Sequence, residues 1–362
     1  MRKILAGLVG AGLALALSAC GSDAVPADSV YANEGVTVGI AMPTKESARW
    51  IADGNNMTQQ FKAMGYKVDL QYADNDAPTQ AKQIDKFVSN GDKLLVISAV
   101  DGSALGDQLA KAAAKNIKVI AYDRLLTNTK NVDYEATFDN NRVGVLQAQF
   151  IIDQLKLDKN TDKTYNVELF AGSPSDQNAK DFYAGSLPLL KPYIKSGKIK
   201  VLSKQTTFKS VAIDLYDAKK AQDRMSQILD EYYKTQRVDA VLSPYDGMTI
   251  GIIKALKEAG YGTDDKPLPI TTGQDSETPS VKSVVEGEQT QTIFKDTREL
   301  AKVAVDQGNA LLTGTKPITN ATFDNKSKKV AAYLLYPVQV TRANYKTLLV
   351  DSGYIKSDDL VS

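Results

Sequence analysis

Apolar residues along this chain come in short continuous runs separated by stretches with helical spacing. Residues 36–42, 68–72, 94–99 and 117–122 are apolar, β-branched-rich runs of strand length. Between them, 49–64 is helix-like and ends at Gly65. Residues 79–90 place Ala81, Ile84, Phe87 and Val88 on one helical face, with Gly91 as C-cap, and 105–115 forms a third helical stretch. The same rhythm restarts after about residue 140. Residues 166–170, 200–203, 240–242 and 268–271 are expected strands, and 181–196, 218–234 and 248–259 expected helices. A further strand is expected at 330–336. Continuous rather than alternating apolar strands, each followed by a helix, predict parallel sheets covered on both faces. The fold class is α/β, with two doubly wound lobes in tandem.

In open parallel sheets, ligands bind beyond the carboxyl ends of the strands. Those positions are polar throughout: Thr44-Lys45 and Arg49-Trp50, Asp101, Asp123-Arg124, Asp139-Asn140, Asp176-Gln177-Asn178, Tyr245-Asp246, Gln274-Asp275 and Lys295. Any one of them could be turn chemistry or a helix cap, and Asp101-Gly102-Ser103 is read that way. Eight such ends suit a polyhydroxylated ligand: carboxylates accept hydroxyl protons, while Arg, Lys and amides donate to hydroxyl oxygens. An aromatic ring such as Trp50 could cover an apolar face of that ligand.

The first residues change where such chemistry would operate. Arg2 and Lys3 precede an apolar run from Ile4 to Leu17, followed by Ser18, Ala19 and Cys20. This is an export signal, too short for the roughly 18–20 residues of a membrane-spanning helix. Cys20 is the only cysteine, and its setting resembles a bacterial lipobox, implying removal of 1–19 and lipid attachment at Cys20. An ordinary signal with an incidental cysteine is the alternative. Residues 20–35 are small and polar and read as a flexible tether. Loss of Arg2 and Lys3 changes 44 basic and 43 acidic side chains to 42 and 43, which gives no electrostatic draw toward nucleic acid. Histidine is absent, which excludes histidine triads, dyads, general bases and metal sites and leaves carboxylate or lysine chemistry open.

Across nearly the whole mature length the chain resembles the periplasmic-type aldose receptors of ABC importers, in the xylose and multiple-monosaccharide branch. The matching runs are 38–44, Ser47-Ala48-Arg49-Trp50, Ala121-Tyr122-Asp123-Arg124, Phe138-Asp139-Asn140, 243–247, Gly273-Gln274-Asp275 and 292–297. The resemblance implies two lobes of the periplasmic binding protein type I kind, 36–138 plus 296–335 and 139–295 plus 336–362, joined by three crossover hinges and closing on a monosaccharide such as xylose, glucose or galactose. It implies that Arg49, Trp50, Asp123 and Arg124 bind from the first lobe, Asn140 lies at the first crossover, and Asn178, Tyr245, Asp246, Asp275 and Lys295 face them from the second. Lys45 and Glu168 are further contacts. Where a second stacking aromatic is expected, Tyr216 is the match, with Phe208 as a neighbour; if Tyr216 only packs, one stacking surface remains. The implied partners are the sugar, ABC permease subunits or a membrane sensor, and the membrane through lipid on Cys20. The protein is expected to be monomeric, without cofactor, metal or catalytic residues.

A carboxylate-dependent glycoside hydrolase is the enzymatic alternative, with Asp123, Glu168, Asp246 and Asp275 supplying acid and base. Against it, the interleaved Arg and Lys would keep these carboxylates ionised. Gly197-Lys198 lacks the earlier Walker glycine and the following Ser/Thr. Residues 158–162 and Asp74-Asn75-Asp76 read as solvated turns rather than calcium loops. Lys326-Ser327-Lys328-Lys329 reads as an exposed connection.

Overall fold

The computed structural model describes residues 33–159 and 162–360. Cys20, the export signal and most of the expected tether lie outside the described residues. The last tether residues do not hang free. Residues 33–35 form a turn, and Asn33 Nδ2 donates to the Met64 carbonyl at 2.8 Å, so the folded body begins there.

The first half alternates strand and helix: β1 (Thr37–Met42), α1 (Ala48–Ala63), β2 (Lys67–Tyr72), α2 (Ala77–Asn90), β3 (Leu94–Ile97), α3 (Gly106–Ala114), β4 (Lys118–Tyr122) and β5 (Tyr134–Phe138). Local chemistry fixes the ends. Asp76 caps α2 by accepting from the Thr79 amide, and Gly91 closes it at φ +85°, a left-handed conformation that glycine adopts without strain. The second half continues with α4 (Asn140–Leu155), β6 (Tyr165–Leu169), α5 (Gln177–Ser196), β7 (Ile199–Lys200), α6 (Phe208–Val211), α7 (Ala218–Tyr232), β8 (Ala240–Leu242), α8 (Asp246–Glu258), β9 (Ile270–Thr271), α9 (Thr278–Glu286) and β10 (Thr292–Phe294). Then come α10 (Thr297–Leu312), β11 (Ala321–Asp324), β12 (Lys329–Leu335) and β13 (Val338–Val340).

Seven strands form one sheet in the order β11-β12-β5-β4-β3-β1-β2, parallel except for the β11–β12 hairpin. A second sheet, β7-β6-β8-β9, is parallel, and β10 pairs antiparallel with β13 beside it. The chain passes from the first sheet to the second region after β5, returns after β10 when α10 packs on α1 and β5, and leaves again between β12 and β13. The first sheet buries Ile40, Met57, Phe61 and Leu300 on one face and Ile84, Phe87, Leu95 and Leu109 on the other. Each such side chain contributes about 1.5–3 kcal/mol of burial. The second has its own cores, around Leu169 and Leu190 and around Met225 and Ile252.

Several strands differ from the pattern-based expectation. The strand expected at 268–271 starts only at Ile270, because Pro269 has no amide to donate. The strand expected at 200–203 is Ile199–Lys200; beyond it, Ser203 turns its amide and hydroxyl onto Glu168. Helices α4, α6, α9 and α10 and strands β5, β10, β11 and β13 are not among the expected elements. In α4 nine of 16 residues are buried, on a broad face that weakens the amphipathic signal.

Candidate ligand-binding cleft

A cleft of about 740 Å³ opens where the carboxyl ends of the two sheets face each other. Of the expected residues, Arg49, Trp50, Asp123, Arg124, Asn178, Tyr216, Tyr245, Asp275 and Lys295 line it. They arrive from seven separate strand ends, helix starts or turns, which explains why no local motif defines the site.

Its centre is charged. Arg49 stands in the first turn of α1, capped by nothing but backbone, and is buried. Its Nη2 donates to Asp123 and its Nη1 lies 3.4 Å from Asp275 Oδ1. Lys295, 2% exposed, places Nζ 2.9 Å from Asp275 Oδ1 and 4.0 Å from Asp123 Oδ1. Two carboxylates and two cations from both sides therefore meet in one cluster. Burial pushes the Asp123 carboxyl up, but Arg49, Lys295 and Arg124 outweigh it and hold Asp123 below the usual carboxylate range. Asp123 and Asp275 both sit on left-handed backbone, φ +61° and +89°, a strained state costing on the order of 1–3 kcal/mol each. Backbone bonds hold them there: the Asp123 amide donates to Ala136 and the Asp275 amide to Ile293.

Beside this centre, Trp50 carries the Arg49 guanidinium 4.4 Å above its ring and that of Arg124 at 5.1 Å. Arg124 donates to the Ala99 carbonyl at 3.0 Å and approaches Asp176 at 3.5 Å. Asp176 also accepts from the Tyr216 hydroxyl at 2.8 Å and from the Asn178 amide at 2.9 Å. Tyr216 faces the cleft while Phe208 packs edge-on against Tyr183, so of these two it is Tyr216 that lines the cleft. Its ring fits because residue 172 is glycine: a Cβ there would come within 2.0 Å of the ring. Asn178 Nδ2 donates to the Asp123 carbonyl at 2.9 Å, tying the two sides together.

Four expected contacts lie elsewhere. Lys45 points outward, its ammonium 5.0 Å from the Tyr72 ring. Glu168 is fully buried in the second sheet, inside β6, accepting from Tyr233 and Ser203, and does not line the cleft. Asn140 is buried behind the wall, donating to Asn178 Oδ1 at 2.9 Å and to Thr137 Oγ1 at 3.3 Å. Asp246 is fully buried at the start of α8 and accepts from Gln289, Thr292 and the Glu277 amide. The expectation that cations keep every carboxylate ionised fails here. Burial pushes Asp246 well above its ordinary range, against the hydrogen bonds of Gln289 and Thr292, because no cation faces it.

Sequence reasoning missed Glu277 and Phe182, which also line the cleft. Glu277 accepts from the Tyr245 hydroxyl at 3.1 Å and from the Ser47 hydroxyl across the cleft. It is raised above the usual carboxylate range, first by burial. Its signal was available, two residues beyond Asp275 at the start of a helix. Asp101 is the turn expected of it, accepting from the Ser103 amide, and Asp74, Asn75 and Asp76 form the cleft rim. Among the described residues no group of three or more acidic or cysteine side chains could hold a metal ion, and no helix is long and apolar enough to cross a membrane.

Two α/β lobes facing each other across a polar, aromatic-lined cleft define a periplasmic binding protein of type I. A family model of the periplasmic binding protein domain matches residues 38–316, and the chain belongs to that family. It is 56% identical over 332 residues to the multiple sugar-binding periplasmic receptor ChvE of Rhizobium radiobacter, covering 91% of this chain and 94% of the relative. It is 32% identical over 344 residues to the D-xylose-binding periplasmic protein of Escherichia coli, covering 95% and 98%. A solved ABC transporter solute-binding protein of Clostridium phytofermentans with bound β-D-glucose matches with a TM-score of 0.86 and 44% identity, covering 90% of this chain and 100% of that one.

Proposed function

We propose that this protein is an extracytoplasmic receptor that encloses a monosaccharide between its lobes and delivers it to an ABC importer. The observation that carries the reading is the cluster of Asp123, Asp275, Arg49 and Lys295, contributed by both sides of one cleft with Trp50 and Tyr216 beside it. Asp123 is held as an acceptor for sugar hydroxyls, and the cations and Asn178 donate to sugar oxygens. Glucose, galactose and xylose are the candidate sugars, supported by what the relatives are named for or hold.

The two lobes are 36–138 plus 296–335 and 139–295 plus 336–362, hinged at the three passages between the sheets. Sugar that touches both lobes favours the closed arrangement, because only there are both sets of contacts available. The contacting residues are Arg49, Trp50, Asp123, Arg124, Asn178, Tyr216, Tyr245, Asp275 and Lys295. The sugar is bound without turnover, the protein acts as a monomer, and lipid on Cys20 keeps it at the membrane. Calorimetry over D-xylose, D-glucose, D-galactose, L-arabinose, D-ribose and D-fucose tests this. Saturable heat with at least one aldose and no product is expected; no heat with any of them overturns it.

A further inference from the structure

Asp53 does not line the cleft, yet it touches the residue at its centre. It lies one turn after Arg49 on the same face of α1 and is fully buried. One carboxyl oxygen accepts from Arg49 Nε at 3.1 Å, and the other accepts from the Tyr122 hydroxyl. The guanidinium is planar, so anchoring Nε fixes where Nη1 and Nη2 point. They point to Asp275 and Asp123, one on each side of the cleft.

We propose that Asp53 is a positioning residue that holds the Arg49 guanidinium in the orientation that bridges the two lobes, and so presets the affinity of the sugar site. This rests on the reading of the cleft as a sugar site. Ionised Asp53 both hydrogen-bonds and attracts the guanidinium; protonated Asp53 loses the attraction. Burial pushes Asp53 up to about 7, opposed by Arg49 and the Tyr122 hydroxyl, with Asp123 adding to the rise. The groups facing it are Arg49 on its own helix, Tyr122 and Asp123 at the end of β4, Tyr72 on β2, Tyr354 from the C-terminal segment and Asp275 beyond Arg49. Burial raises all three tyrosines, Tyr354 to about 12, so they stay neutral near pH 7.

Calorimetric titration of the full chain with D-glucose and with D-xylose, from about pH 5.5 to about 8.5, tests this. Wild-type affinity should rise about five- to tenfold as pH climbs through 7. Asp53→Asn should bind about tenfold more weakly at the upper end and show a flat profile. Tyr122→Phe removes a hydrogen bond to the ionised form and should move the midpoint to higher pH. Asp53→Asn with wild-type affinity and an unchanged profile overturns the proposal. Should Asp53→Asn fail to fold, an unmoved Tyr122→Phe midpoint overturns it. If the wild type binds no aldose at any pH, the sugar reading falls and this inference with it. Wild-type binding that does not change with pH sinks the positioning role alone.

Discussion

Two buried carboxylates, Asp123 lining the cleft and Asp246 behind its opposite wall, are held in opposite ways. On the first-lobe wall Asp123 faces Arg49, Lys295 and Arg124 and stays ionised despite full burial. Behind the second-lobe wall Asp246 is also buried, but its partners are an amide side chain, a hydroxyl and a backbone N–H, and burial wins. The same side chain is thus a cleft-facing anion in one place and a structural joint in the other. Opposite charge within hydrogen-bond reach decides between them, not depth.

The contrast can be broken most severely at its centre. Asp275→Ala leaves Arg49 and Lys295 sharing Asp123, and should weaken sugar binding by about 100-fold or more, some 3 kcal/mol, in calorimetry. Wild-type affinity would show that the charged cluster is not the site. Next, Asp246→Ala strands the Gln289, Thr292 and Glu277 donors. It should cost about 1–3 kcal/mol in denaturant unfolding, more than it costs in affinity measured beside it. A loss seen only in affinity would put Asp246 back among the ligand contacts.

A pH series sharpens the same comparison. A carboxyl raised on folding, as Asp53 is to about 7, contributes stability that is complete below its unfolded value near 4 and is lost as pH rises through 7. Thermal melting should therefore show Asp53→Asn losing less stability than wild type between those values, while sugar affinity of the wild type moves the other way. Parallel melting curves would remove Asp53 as the cause. The smallest effect belongs to Lys45→Ala, expected within about 0.5 kcal/mol of wild type in both stability and binding, since the side chain is exposed and outside the cleft.

Strand ends were legible because buried parallel strands announce themselves as apolar runs and their polar successors stand out. That brought eight of the nine expected cleft residues into view, Tyr216 coming from the family resemblance instead. What remained hidden depends on angle rather than order. Glu168 and Asp246 carry the right chemistry, but pleat and helix start turn one into the sheet and the other behind the wall. Asp53 was hidden for the opposite reason: it sits inside a helix, away from any strand end, and only its spacing of four from Arg49 hinted at a role. The long helix α4 and the short strands β11 and β13 gave weak patterns because so little of each alternates.

The position of β12 has a consequence for how the molecule is assembled. This strand is second in the first sheet's order, between the edge strand β11 and β5, yet it is made after the entire second sheet. Until residues 329–335 exist, β5 is an open edge with unpaired amides and carbonyls, the kind of edge that recruits foreign strands. The second sheet can close earlier, since β6 to β9 are contiguous along the chain apart from their helices. A chain truncated after α10 would thus keep its cleft residues and still present a sticky seam, making the segment after Leu312 a guard against aggregation.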